Sequence, residues 1–153
     1  MEEKRRLIEQ LDRARAQVEA LIPLVSTEEE VYPGWTMRQV LAHIAGWDEA
    51  TLAALLAHSG GHESGTPAAR GINIFNAQSV ETREALSFEQ TRREFDVNRA
   101  AVKQAIQDMP EDIFFDKMIL PWGGYGTVEG IVNIFAEHEV DHAEEIRKAL
   151  PKE

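Results

Sequence analysis

Through the first part of the chain, apolar residues recur in alternating steps of four and three: Leu7, Leu11, Ala14, Val18, Leu21 and Val25. That period puts them on one narrow seam of a helix from Glu2 to Val25, suited to packing in a bundle. Pro23 and the connection at 27–34 interrupt it. Thr36, followed three residues later by Gln39, then forms a capping-box signature and opens a second helix near Met37. This helix runs to about Ser59 with Val40, Ile44, Trp47, Thr51, Ala54 and Leu55 inward, and with His43 on the same side. Turn residues from Ser59 to Pro67 break the pattern with a loop long enough to cross the end of a bundle or cover a pocket.

Helical character returns from Ile72 to Glu84. Ser87 and Gln90 form a second capping box ahead of a helix ending near Met109-Pro110, with Phe88, Phe95, Val102, Ile106 and Met109 inward. These two pieces read as one broken third helix. Asp112 to Met118 and the stretch Pro121-Trp-Gly-Gly-Tyr-Gly form a second long connection, with Asp116 to Trp122 briefly extended; otherwise no strand pattern emerges. Thr127 caps a fourth helix that runs to Leu150 and stops at Pro151. The prediction is an all-α fold, a four-helix bundle with two long connections, in which sites are built from side chains on facing helices.

The fourth helix carries the chemistry. His138 and His142 stand four residues apart and share a face with Ile131, Phe135, Ile146 and Ala149, so both imidazoles point along the stripe that faces the core. They read either as core histidines bonded to neighbours or as two ligands of a metal, for which imidazole is the commonest protein donor. His43 is the natural third ligand. If helices two and four are antiparallel, a rise of roughly 1.5 Å per residue puts His43 and His142 at one level of the bundle. Three histidines leave a position for water or substrate, and imidazole sites suit zinc, nickel, copper or iron.

His138-Glu-Val-Asp-His142 also matches H-E-x-x-H, the zinc-peptidase signature, but no histidine follows to complete such a site, and the match reads as accidental. Glu139 is a candidate base for a metal-bound water, or else a solvated surface residue. Glu137, Asp141 and Glu145 could orient imidazole N–H groups or simply form an acidic helix face. His58 and His62 flank Gly60-Gly61 and are assigned to a mobile loop. Trp35, Trp47, Trp122 and Tyr125 could wall a pocket or fill the core. Arg70 and Asn73 could meet an anionic substrate or lie on the surface.

Composition narrows the function. At 153 residues the chain makes one domain spanning 1–153. With 43% hydrophobic and 28% charged residues, and no apolar run read as long enough to span a bilayer, it is expected to be a soluble globular protein. Its start leads into an acidic amphipathic helix rather than a secretory signal, so a cytoplasmic location is expected. There is no cysteine, so any metal must use His, Asp or Glu. A net charge of −11 opposes binding to nucleic acid or an anionic membrane and favours a small-molecule substrate. A homodimer is a fair prior for such a bundle.

Gly34-Trp-Thr-Met-Arg-Gln-Val-Leu-Ala-His-Ile-Ala-Gly-Trp-Asp48, followed by Pro121-Trp-Gly-Gly and by His138-x-x-x-His142-x-x-x-Ile146, resembles the DinB/YfiT-like superfamily, in particular its DfsB/ClbS-like branch. The resemblance covers nearly the whole chain. It implies a four-helix bundle of unusual helix order and a divalent metal, often nickel or zinc, held by His43, His138 and His142. Family members with assigned activity include thiol-dependent S-transferases and isomerases, and a resistance protein that hydrolyses a reactive cyclopropane. An aromatic residue commonly follows the first histidine of the pair in this family; here Glu139 does. The resulting expectation is a metal-dependent enzyme that activates water, or a low-molecular-weight thiol as cosubstrate, against a small electrophile. The alternative is a non-catalytic protein that sequesters a small reactive compound, its histidines structural or its metal incidental.

Overall fold

The computed structural model describes residues 1–26, 28–32, 34–63 and 65–150, with Tyr32 described by its backbone alone. Four long helices form the bundle: α1 (Glu2–Glu19), α2 (Met37–Ser59), α4 (Phe88–Asp108) and α6 (Val128–Ala149). A shorter α3 (Ile72–Glu81) packs on α2, and a single turn, α5 (Glu111–Phe114), follows α4. The closest helix pairs are α2 with α4 and α1 with α6.

Local chemistry explains most boundaries. Thr36 Oγ1 accepts the Gln39 backbone N–H at 3.3 Å while Gln39 Oε1 accepts that of Thr36 at 2.9 Å, closing the capping box that starts α2. Ser87 and Gln90 do the same for α4, at 3.1 and 2.8 Å. Thr127 Oγ1 accepts the Gly130 N–H at 3.1 Å and starts α6. The stop assigned to Pro151 lies outside the described residues.

Four expectations need correction. The first helix ends at Glu19 rather than Val25, because the ring of Pro23 collides with the carbonyl four residues back, and a short 3-10 turn at Ile22–Leu24 carries Leu21 and Ile22 into the core instead. The broken third helix is two separate helices, α3 and α4, both packed on α2, with α4 also reaching α1. Two short antiparallel ribbons exist where no strand pattern was read: β1 (Glu30–Tyr32) with β2 (Trp35–Thr36), and β3 (Met118–Ile119) with β4 (Tyr125–Gly126). Met118–Ile119 falls inside the stretch read as extended. Finally, α2 is by length and composition apolar enough to cross a membrane, contrary to the reading of the sequence, but it is mostly buried inside the bundle, as a central core helix must be.

Candidate metal centre

His43 on α2 and His138 and His142 on α6 meet in the bundle. Contacts of His43 with His142 and of Trp47 with Phe135 run in opposite directions along the two helices, so α2 and α6 are antiparallel and the expected level is reached. His43 Nε2 lies 3.0 Å from His138 Nε2, which lies 2.9 Å from His142 Nε2. One potential ligand atom from each residue falls within 4.8 Å of the others, and among the described residues no other group of His, Cys, Asp and Glu converges in this way. The ring of Trp35 stands edge-on to His43 at 5.2 Å.

A ring nitrogen is either one donor or one acceptor. His138 Nε2 approaches two other Nε2 atoms with a single proton or a single lone pair, so the second approach is either a weaker, shared three-centre bond or a contact of like against like. A cation shared by three lone pairs removes the conflict. Nitrogens held at about 2.0–2.1 Å from a tetrahedral ion stand about 3.3 Å apart, close to the separations found. The electrostatics agree. Burial, reinforced by His138 and His142, pushes His43 down to about 3. Burial and then His138 take His142 to about 4, and burial lowers His138 against the opposing pull of Glu139 and Asp141. The imidazoles are neutral at pH 7, the form that binds metal. His43 Nδ1 is buried with no hydrogen-bond partner among the described residues.

Glu139 does not occupy the solvated position considered for it. It is 1% exposed, and both of its oxygens are engaged. Arg15 Nε donates to Oε2 at 2.9 Å, and Arg99 Nη2 donates to Oε1. The same guanidiniums bind Asp48: Arg15 Nη2 reaches Oδ2 at 2.9 Å and Arg99 Nη2 reaches Oδ1 at 3.1 Å. Arg15 also donates to the Phe95 carbonyl at 2.9 Å and stacks 3.6 Å from the Phe95 ring centre. Each bundle helix thus contributes one charge to a buried quartet: Arg15 from α1, Asp48 from α2, Arg99 from α4 and Glu139 from α6. Burial opposes ionisation of Glu139, but Arg99 and Arg15 outweigh it and hold the carboxyl below its usual range. Burial pushes Asp48 up against the same two arginines.

Beside His138 an apolar groove of about 390 Å³ opens between α2, α3, α6 and the turn joining β3 to β4. Trp47 and Trp122 line it, as the sequence suggested, together with Phe135, Ile134, Ile72 and Asn76, which it did not. Trp47 Nε1 donates to Asn76 Oδ1 at 2.7 Å, and its ring packs on Phe75 at 4.4 Å. Tyr125 is 72% exposed and lines a different pocket with His58 and His62. His58 lies in the last turn of α2 rather than in a loop, its Nε2 at 3.0 Å from the Ile113 carbonyl; His62 is exposed. Arg70, Asn73, Glu137, Asp141 and Glu145 are all exposed, and neither Arg70 nor Asn73 lines the groove.

A family model described as the DinB superfamily matches residues 10–146. Among solved structures, the chain is similar to a mycothiol-dependent maleylpyruvate isomerase, with a TM-score of 0.77 and 15% identity over 94% of this chain and 60% of the other. It therefore spans about 60% of that protein's length. It is also similar to YfiT from Bacillus subtilis, described as a probable metal-dependent hydrolase with an unusual four-helix bundle topology, with a TM-score of 0.72 and 17% identity over 97% of this chain and 86% of the other. At these identities the likeness carries the fold. No curated protein matches the chain by sequence.

Proposed function

The chain belongs to the DinB superfamily, and from that premise together with the converging imidazoles we propose that it is a divalent-metal-dependent enzyme built on His43, His138 and His142. The observation that carries the reading is the convergence of three imidazoles, with the Nε2 atoms of His43 and His142 both brought onto the single Nε2 of His138. Nickel or zinc suits three imidazoles without a thiolate, and three protein ligands leave a position for water or a low-molecular-weight thiol. A bound divalent ion would lower the pKa of that water or thiol and so supply a nucleophile at neutral pH, for hydrolysis or S-transfer on a small electrophile.

The chain's own residues do the positioning. Trp35 packs against the His43 ring, and His138 borders both the cluster and the groove, so a compound in the groove lies beside the centre. Glu139, with both oxygens bound by arginine, ties α6 to the bundle next to His138 and has no free oxygen to take a proton. The likeness to a mycothiol-dependent isomerase supports the thiol route, and the likeness to a probable metal-dependent hydrolase supports the hydrolytic one. Placement near the DfsB/ClbS-like branch, favoured by the motifs at 34–48 and 121–124, is part of the same reading.

The test is metal content per chain by elemental mass spectrometry, on untagged protein, for the wild type and for His43→Ala and His142→Ala. One equivalent in the wild type, lost in both variants, is expected. No metal after reconstitution with nickel and zinc would overturn the reading and favour the sequestration protein in its place.

A further inference from the structure

The groove beside His138 differs in kind from the rest of a strongly acidic molecule. Trp47, Trp122 and Phe135 form its floor, Ile72 and Ile134 its rim, and no charged side chain lines it. The two rim residues are 52% and 46% exposed, although each belongs to a well-formed helix that could have buried them. Its volume of about 390 Å³ lies in the range of small-molecule sites, which are mostly apolar with a few placed polar groups. Here the placed polar group is Asn76. An indole N–H needs an acceptor, so Trp47 fixes the Asn76 oxygen toward itself at 2.7 Å, and the amide NH₂ is what Asn76 has left to offer.

Resting on the reading of the metal centre above, we infer that the substrate bound beside it is an uncharged, ring-bearing apolar molecule, held against Trp47 and Trp122 and hydrogen-bonded through one acceptor to Asn76. Flat aromatic walls favour a ring over a flexible chain, because stacking adds to area burial. An anionic compound is disfavoured twice. No arginine or lysine lines the groove, and between its indole and isoleucine walls only the Asn76 amide and His138 could offset the desolvation of a carboxylate. The exposed Arg70 considered as an anion receptor stands outside it.

The groove can be probed with nitrobenzene and 4-nitrobenzoate, which share a ring and a nitro acceptor and differ in one charge. Both quench tryptophan emission on contact, so Trp47 and Trp122 report occupancy directly. Titrations are run on EDTA-treated protein, so that the carboxylate has no ion to bind, and in high salt, so that the net charge of −11 is screened. Saturable quenching by nitrobenzene is expected, with 4-nitrobenzoate at least about tenfold weaker. Ile134→Glu and Ile72→Glu, both on exposed rim positions of different helices, are each expected to weaken nitrobenzene by about tenfold and to leave metal uptake unchanged. Linear quenching of the wild type, equal affinity for the two probes, or indifference to both substitutions would overturn the inference. Metal uptake read on the same preparations separates the two claims. Metal bound with linear quenching removes the groove assignment alone, whereas saturable quenching without metal removes the metal centre and leaves the groove.

Discussion

Two clusters of buried polar side chains sit next to one another in this bundle and share α2 and α6, yet they solve opposite problems. In the quartet, two guanidiniums face two carboxylates and the charges cancel, and every carboxylate oxygen has a donor. In the histidine cluster, three like groups converge, with Nε2 approaching Nε2 at 3.0 and 2.9 Å. Buried polar groups that balance one another are architecture. Buried donors of one kind that converge are a request for a ligand. The two are separated by a single peptide bond at His138-Glu139, so the carboxylate that the sequence sets beside the imidazoles is bound by the arginines of the quartet.

The sharpest way to break the comparison is to unbalance the quartet. Glu139→Gln leaves the guanidiniums of Arg15 and Arg99 buried with one negative charge too few. Removing one partner of a buried ion pair costs about 3–5 kcal/mol, against a total stability of about 5–15 kcal/mol for a domain. Urea denaturation of the metal-free variant should show that loss, with metal uptake by the folded fraction retained. If Glu139 were instead a catalytic base, the denaturation midpoint would stay and turnover alone would fall.

What could be read from the sequence follows from how local each signal is. The caps at Thr36, Ser87 and Thr127 act within three residues, and all three helices start where those residues say. The histidine cluster was legible because an imidazole on an apolar stripe is conspicuous at a spacing of four. The β1–β2 and β3–β4 ribbons were not, because strands of two or three residues have no period to detect, and their turns depend on Gly34, Gly123 and Gly124 taking positive φ of 87°, 93° and 78°. The quartet left a trace that was missed. Arg15, Asp48, Arg99 and Glu139 each follow a buried apolar residue, Leu11, Ile44, Phe95 and Phe135, by four positions, and so stand on the inner seam of their helices. Two cations and two anions on four inward seams are a balanced set. Read helix by helix, no single one of the four stands out as inward, and Glu139 is hidden further by Glu137, Asp141 and Glu145 around it.

Acid separates the clusters by a smaller effect. His43 and His142 hold folded-state values of about 3 and 4, below the 6.5 of an unperturbed imidazole. As pH falls below 6.5, the unfolded chain takes up protons that the folded chain refuses, so stability is lost from there down to the folded values and not further. For two such groups the loss between pH 6.5 and 5.5 is about 2 kcal/mol. Urea midpoints of EDTA-treated protein across that interval should fall accordingly. The double variant His43→Ala, His142→Ala should lose most of the slope. A slope unchanged in that variant would place the acid sensitivity outside the histidine cluster.

The finest discrimination lies inside the quartet itself. Its balance is complete in charge but not in hydrogen bonds: Arg99 Nη1 and Thr51 Oγ1 are buried without a protein partner among the described residues, and both side chains line one cavity of about 10 Å³. Most of its lining is apolar, but its volume is about that of one water, and a water held by Arg99 Nη1 and Thr51 Oγ1 would bridge the two. Thr51→Val keeps the shape of the side chain and removes one of the two groups able to hold such a water, leaving Arg99 Nη1 alone. The expected cost is about 1 kcal/mol by urea denaturation, with Thr51→Ser close to wild type. An unchanged midpoint in Thr51→Val would mean that the arginine tolerates one unpaired N–H because its other bonds to Asp48 and Glu139 already fix it. In that case charge balance, rather than full hydrogen bonding, is what the quartet requires.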